Sequence, residues 1–261
     1  MTDAGSLTLR PTPGGGWRTG LPTLMSAGFG SWWRTNDWWI QSLLWTAVIN
    51  GSLAVAVWGD APDGVDVFAL FGVMTMFAAI AVAIVMQEAI VGEKSSGTAA
   101  WVLSKPASRE AFLLSKLVPN AVGVVATMIV IPSAFLLLQV TLADIEVSVP
   151  RFALGAAVAA LNLLFYLTLT LMLGTLFDSA GPVIAIPLAF AFGQQLIAGI
   201  PGLGEVLPWA LVVAAGDSDT TVTAAIITGQ AVTAPGAIVA TALACTVFTV
   251  VAFWTWNRTE L

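Results

Sequence analysis

The stretch that decides the fold reads Gln87-Glu88-Ala89-Ile90-Val91-Gly92-Glu93-Lys94-Ser95-Ser96-Gly97-Thr98-Ala99-Ala100-Trp101-Val102-Leu103-Ser104-Lys105-Pro106-Ala107-Ser108-Arg109, and it continues through Glu110 to Lys116. It gathers most of the basic charge found inside the apolar body of the chain. On both sides lie runs too apolar and too long for a soluble core. A polar segment wedged between two such runs marks the point where a membrane protein meets an aqueous compartment.

Working outward, 58% of the 261 residues are hydrophobic and 9% are charged, against roughly a quarter charged in an average soluble domain. So few charges could not cover a soluble protein of this size, which makes the chain an integral membrane protein. About 20 apolar residues cross the hydrocarbon layer as a helix. Six runs qualify, at about 38–58, 67–89, 116–141, 152–177, 181–200 and 236–256. The expected fold is therefore all-α, with six transmembrane helices forming a domain over 38–261. Residues 1–22, polar and rich in Gly and Pro, are expected as a flexible cytoplasmic tail.

An even number of crossings puts both termini on one side. Arg10, Arg18, Arg34, Lys94, Lys105, Arg109, Lys116 and Arg258 fall on that side, and only Arg151 on the other. Eight against one is a strong positive-inside bias, so the termini and the 90–115 loop are expected to be cytoplasmic. The net charge of −6 then belongs to the outer loops, through Asp60, Asp63, Asp66, Asp144, Glu146, Glu205, Asp217 and Asp219.

Before the first crossing, Met25, Phe29 and Trp32/Trp33 recur at helical spacing, which predicts an interfacial helix over 23–37. Trp32, Trp33, Trp38, Trp39, Trp58, Trp254 and Trp256 flank the first and last crossings and read as headgroup anchors. Between Pro201 and Pro235, two apolar pieces too short to span predict extracellular interfacial or re-entrant helices in a 201–235 hairpin.

No site for covalent chemistry stands out. The chain has no His and a single Cys, Cys245, which removes most nucleophile–base and transition-metal sites. The expectation is no catalytic residue, no metal and no bound cofactor. Gly92-Glu93-Lys94-Ser95 fails as a phosphate loop because Lys does not follow Gly and the leading Gly is Gln87. In the 90–115 loop, Ser95 or Ser96 is placed to cap a short helix carrying Trp101 and Leu103. Pro106 ends it, and Ser108 caps the next helix. Glu88 is expected to pair with Lys94 or Arg109. The residues alone leave an ordinary positively charged loop equally open.

The pattern Glu93-x3-Gly97-Thr98-x5-Ser104-x-Pro106-x-Ser108-Arg109-x6-Lys116, directly after the second apolar run, resembles the signature of ABC-2 type transporter permeases. The likeness extends to the interfacial helix, the six crossings and the outer hairpin. It implies a membrane subunit, an exporter by family likeness alone, that forms a homodimer in the plasma membrane. Two copies of a separate cytoplasmic ATPase would hold the ATP and Mg. The 95–105 helix would dock into that ATPase through Glu93, Gly97, Thr98, Trp101, Ser104, Pro106, Ser108 and Arg109. Family members often carry an acid after Gly-Thr, where this chain has Ala99 and Ala100, so docking here would lean on Trp101.

Polar groups at membrane depth, Asn50, Asn162 and the Gln194-Gln195 pair, are candidates for a translocation path. The alternative reading is hydrogen bonding between helices. Span five, punctuated by Gly181, Pro182, Pro187, Gly193, Gly199 and Pro201, is expected to be interrupted and to line that path. No acid or base lies at mid-membrane, which disfavours a proton- or sodium-driven carrier. A stand-alone carrier or channel, and a non-transporting scaffold, are the competing functions. Nothing points to nucleic acid.

Overall fold

The structure, a computed structural model, describes residues 16–59, 66–200, 202–214 and 220–259. The acids Asp60, Asp63, Asp217 and Asp219, Arg10, Pro201 and residues 1–15 of the expected tail lie outside them. Among the described residues the fold is entirely helical, with no strand. It is a multi-pass membrane protein with six helices long and apolar enough to cross a bilayer.

The crossings are α2 (Asp37–Trp58), α3 (Val67–Ser95), α5 (Arg109–Leu142), α6 (Val149–Leu176), α7 (Ala180–Ile197) and α10 (Pro235–Trp256). Before them lies α1 (Leu21–Trp33), between the second and third lies α4 (Thr98–Leu103), and between the last two lie α8 (Trp209–Val212) and α9 (Val222–Thr228). Several helices outrun the apolar stretches that announce them. Hydropathy marks where a helix is greasy, whereas caps mark where it stops. Thus α5 starts seven residues before the expected 116, where the Ser108 hydroxyl accepts the Ala111 N–H at 3.0 Å.

Two crossings contain π-helical turns, at Glu88–Gly92 in α3 and at Ala126–Val130 in α5. The second has a local cause. Pro132 lacks an N–H, and its ring would press on the carbonyl four residues back, that of Met128, which lies inside the widened turn. By contrast α7 is one continuous helix, which corrects the expectation of an interrupted fifth span. Pro182 sits in its first turn, where an N–H needs no helical partner, and Pro187 is absorbed within it.

The bundle is built around α6. In its most apolar window 72% of residues are buried, against 17% for α10 and 28% for α2, so α6 is the central post and the other two offer open faces. Around Phe165 of α6 gather Phe190 of α7 and Phe248 of α10, each with ring centroids 5.4 Å away. Lower down, the Thr175 and Thr255 hydroxyls pair at 2.6 Å.

α1 begins at Leu21 and ends at Trp33, earlier at both ends than the expected 23–37. Gly20 takes a left-handed φ of 77° and Pro22 fixes the first turn; Thr35 hydrogen-bonds Asp37 in the following elbow at 2.9 Å. The helix lies directly on α5. A Cβ on Gly28 would stand 2.7 Å from the Ser115 carbonyl, so the two backbones touch there. Trp32 is buried against Gly123 and donates its indole N–H to Asn120 Oδ1 at 2.9 Å. Trp256 is likewise buried, stacked on Phe112 at 5.2 Å. These two indoles are structural plugs rather than headgroup anchors, while Trp33, Trp38, Trp39, Trp58 and Trp254 stay exposed.

The hairpin folds back into the bundle. Its Val212 carbonyl lies 2.7 Å from where a Cβ on Gly72 would be, and Gly72 is five residues, roughly 8 Å of helix rise, inside α3. Trp209–Val212 is fully buried. Backbone that is not part of a crossing helix is tolerable at such depth only when protein surrounds it.

Candidate functional site

The 88–116 segment is assembled in four steps. The π turn carries α3 to Ser95. Gly97 then reverses the chain at φ 72°, a left-handed geometry that costs a side chain-bearing residue about 1 kcal/mol or more. α4 follows from this glycine, so the expected Ser95 or Ser96 cap is corrected: Gly97 is the N-cap, no side chain caps the helix, and Ser96 instead shares a hydrogen bond with the Thr98 hydroxyl at 2.9 Å. Finally Ser104 to Ala107 turns the chain into α5, with the Ser104 hydroxyl donating to the Trp101 carbonyl at 2.7 Å.

α4 buries Ala99, packs Val102 and Leu103 inward, and leaves Trp101 62% exposed. The Lys105 ammonium lies 3.2 Å from the centre of that indole. The outward face of α4 is therefore a cation-capped aromatic knob. A Cβ on Gly97 would meet open space, so only backbone strain holds a glycine there.

What distinguishes this segment is how firmly its flanks are tied. Lys94, nearly buried, reaches the Gly174 and Phe177 carbonyls at 3.4 and 3.3 Å and the Asp178 carboxylate. It thereby satisfies the C-terminal carbonyls of α6 with a cation, where the helix dipole favours one. Arg109 does the same for α10, donating to the carbonyls of Trp256 at 3.0 Å, Asn257 and Thr259. Glu93 pairs with Lys116, clasping the end of α3 to α5. Ser108 donates its backbone N–H to the Thr19 carbonyl at 3.0 Å and its hydroxyl to the Trp17 carbonyl at 2.5 Å, joining the chain ahead of α1. Pro106 and Ala107 lie against Gly20. Displacement of α4 thus pulls on α1, α5, α6 and α10 together.

Glu88 pairs with neither Lys94 nor Arg109, contrary to expectation. Both cations are engaged by helix C-termini, and the Glu88 carboxylate folds back against Gly92, where a Cβ would stand 2.5 Å from Oε1.

Asn50 and Gln194 are bonded to different partners. Asn50 of α2 donates to the Pro132 carbonyl of α5 at 3.1 Å, while Gln139 donates to the Asn50 carbonyl at 3.2 Å. Gln194 of α7 donates to the Tyr166 hydroxyl at 2.8 Å and accepts the Trp209 N–H at 3.1 Å, fastening the hairpin to the post. Asn162 is buried in α6, and Gln195 is exposed on α7. In this structure Asn50 and Gln194 act as joints between helices. Sequence reasoning missed Asp178, Tyr166 and the role of Lys94, because each partner lies tens of residues away and nothing local signals it.

A family described as "Protein of unknown function (DUF2705)" matches residues 43–199, from within α2 to just past α7, and so includes the whole tied segment. No curated protein matches the chain.

Proposed function

The chain belongs to this family, matched over more than half its length. From the geometry of the tied segment and the resemblance of its sequence pattern, we propose that it is the membrane subunit of an ATP-driven transporter of ABC-2 type. It is an exporter that works as a homodimer in the plasma membrane. Both termini and α4 face the cytoplasm. The chain hydrolyses nothing itself; ATP and Mg are held by two copies of a separate ATPase subunit, into which α4 docks.

One observation carries this reading. An exposed aromatic knob, Trp101 under Lys105, sits on a short helix whose flanks are bound to the ends of α5, α6 and α10. A loop that merely joined two crossings would need none of these ties. A docking lever needs all of them, because force applied to a slack segment is lost. The two open faces of α2 and α10 suit contact with lipid or with a second copy.

Purification from the native cell in mild detergent tests the reading. A cytoplasmic protein carrying Gly-x4-Gly-Lys-Ser/Thr should accompany the chain and should cross-link to a Trp101→Cys variant. Transport by the purified chain alone, or a constant partner without ATPase activity, would refute it.

A further inference from the structure

Beside the tied segment lies a cavity of about 680 Å³, walled by α1, the start of α2, the π turn of α3, α4 and α5. Its volume falls within the range of small-molecule sites, roughly 300–1,000 Å³. Hydrocarbon, hydroxyl and amide groups share the lining with three carboxylates. Leu24, Val85, Ala89 and Val102 supply hydrocarbon, whereas Asp37, Glu88 and Glu93 supply carboxylates. Lys116 is the one cation on the wall, and it is already paired with Glu93. Among the described residues the only other ion pair is Lys94–Asp178, so Asp37 and Glu88 face the cavity without a cation. The Thr35 hydroxyl satisfies one Asp37 oxygen. Absence of a side chain on Gly92 gives the Glu88 carboxylate its resting place.

We infer that this cavity binds an amphiphilic organic cation, an ammonium group joined to a hydrocarbon chain. The ammonium would sit between Asp37 and Glu88 and the chain against the apolar wall. Charge complementarity selects the sign: an anionic amphiphile of the same length would bring a third uncompensated negative charge to the site. The ammonium belongs either to an aminolipid headgroup entering from the bilayer or to a free amine from solution. The site stands apart from the transport reading, since binding requires no ATPase.

The test uses the full chain in phosphatidylcholine nanodiscs, with empty discs as blank. Tritiated octylammonium is titrated by scintillation proximity, and unlabelled octanoate and octanol serve as competitors. Saturable octylammonium binding that octanoate and octanol do not displace supports the site. Glu88→Gln and Asp37→Asn should each weaken it roughly fivefold, the scale of one partly solvated charge contact. Gly92→Ala, which evicts the Glu88 carboxylate, should weaken it as well, while Glu205→Gln, on an outer turn, should not. Displacement by added phosphatidylethanolamine supports the site with a lipid occupant, and indifference to it supports the site with a free amine. Lack of saturable binding, equal competition by octanoate, or wild-type affinity in the Asp37→Asn/Glu88→Gln double variant would overturn the inference. The competition between charges is read on the wild-type chain, so the test survives a variant that fails to fold.

Discussion

Replacing Gly123 with Ala adds one methyl group at the place where α1 is fastened to the bundle. A Cβ there would stand 2.7 Å from Trp32 Cε3 and closer to Cδ2 and Cε2, where ordinary contact begins at 3.4 Å. The indole must therefore retreat by roughly 1 Å to recover normal carbon–carbon separation. That movement stretches the 2.9 Å bond from Trp32 Nε1 to Asn120 past hydrogen-bonding distance. Overpacking of this kind costs about 1–3 kcal/mol, and the lost bond about 1 kcal/mol more. Removing a glycine from a helix returns up to about 1 kcal/mol, leaving a net loss of about 1–3 kcal/mol. The assay is labelling of an Ala27→Cys variant, in a Cys245→Ser background, by a membrane-impermeant maleimide in nanodiscs. Faster labelling with Gly123→Ala reports the detachment of α1. If the clash is the cause, adding Trp32→Ala makes Gly123→Ala nearly silent, a coupling of about 1–2 kcal/mol between touching residues. Unchanged labelling in Gly123→Ala, or strict additivity with Trp32→Ala, would refute the packing argument.

Three further outcomes are expected. Lys94→Met should speed hydrogen exchange across residues 93–96 and 172–178, because the α6 carbonyls lose their cation; Asp178→Asn, whose side chain is 88% exposed, should change little, as exposed ion pairs contribute about 0–1 kcal/mol. Trp101→Asp and Gly97→Pro should uncouple ATP hydrolysis from transport in vesicles with the ATPase partner while the membrane part keeps its thermal stability, and undiminished transport in both would count against the docking role. Gly72→Val should expel Val212 from the groove on α3, costing about 1–3 kcal/mol by overpacking, and proteolysis within 202–214 should quicken; equal cleavage rates would show that the hairpin is not held there.

The crossings were legible because hydropathy is a local property: twenty apolar residues in a row need no knowledge of the rest of the chain. Capping was legible at Ser108, where the hydroxyl and its target N–H are three residues apart. It misled at Ser95 and Ser96, because a left-handed Gly97 had already set the helix start. Pro132 announced trouble in the third crossing, although the local sequence does not say whether a proline yields a kink, a π turn or, as at Pro187, an undisturbed helix.

By itself, then, the sequence determined that this chain spans a bilayer six times and that its basic, polar interruption falls between the second and third crossings. Both follow from how many neighbouring residues share a solvent preference. Only the tertiary structure decided that Lys94 and Arg109 serve the ends of α6 and α10 rather than Glu88, that Trp32 and Trp256 are plugs, and that Asp37 and Glu88 line one cavity. Those outcomes depend on which helix ends meet across distances of 80 to 150 residues, and pairing at such separation is set by how the whole bundle packs.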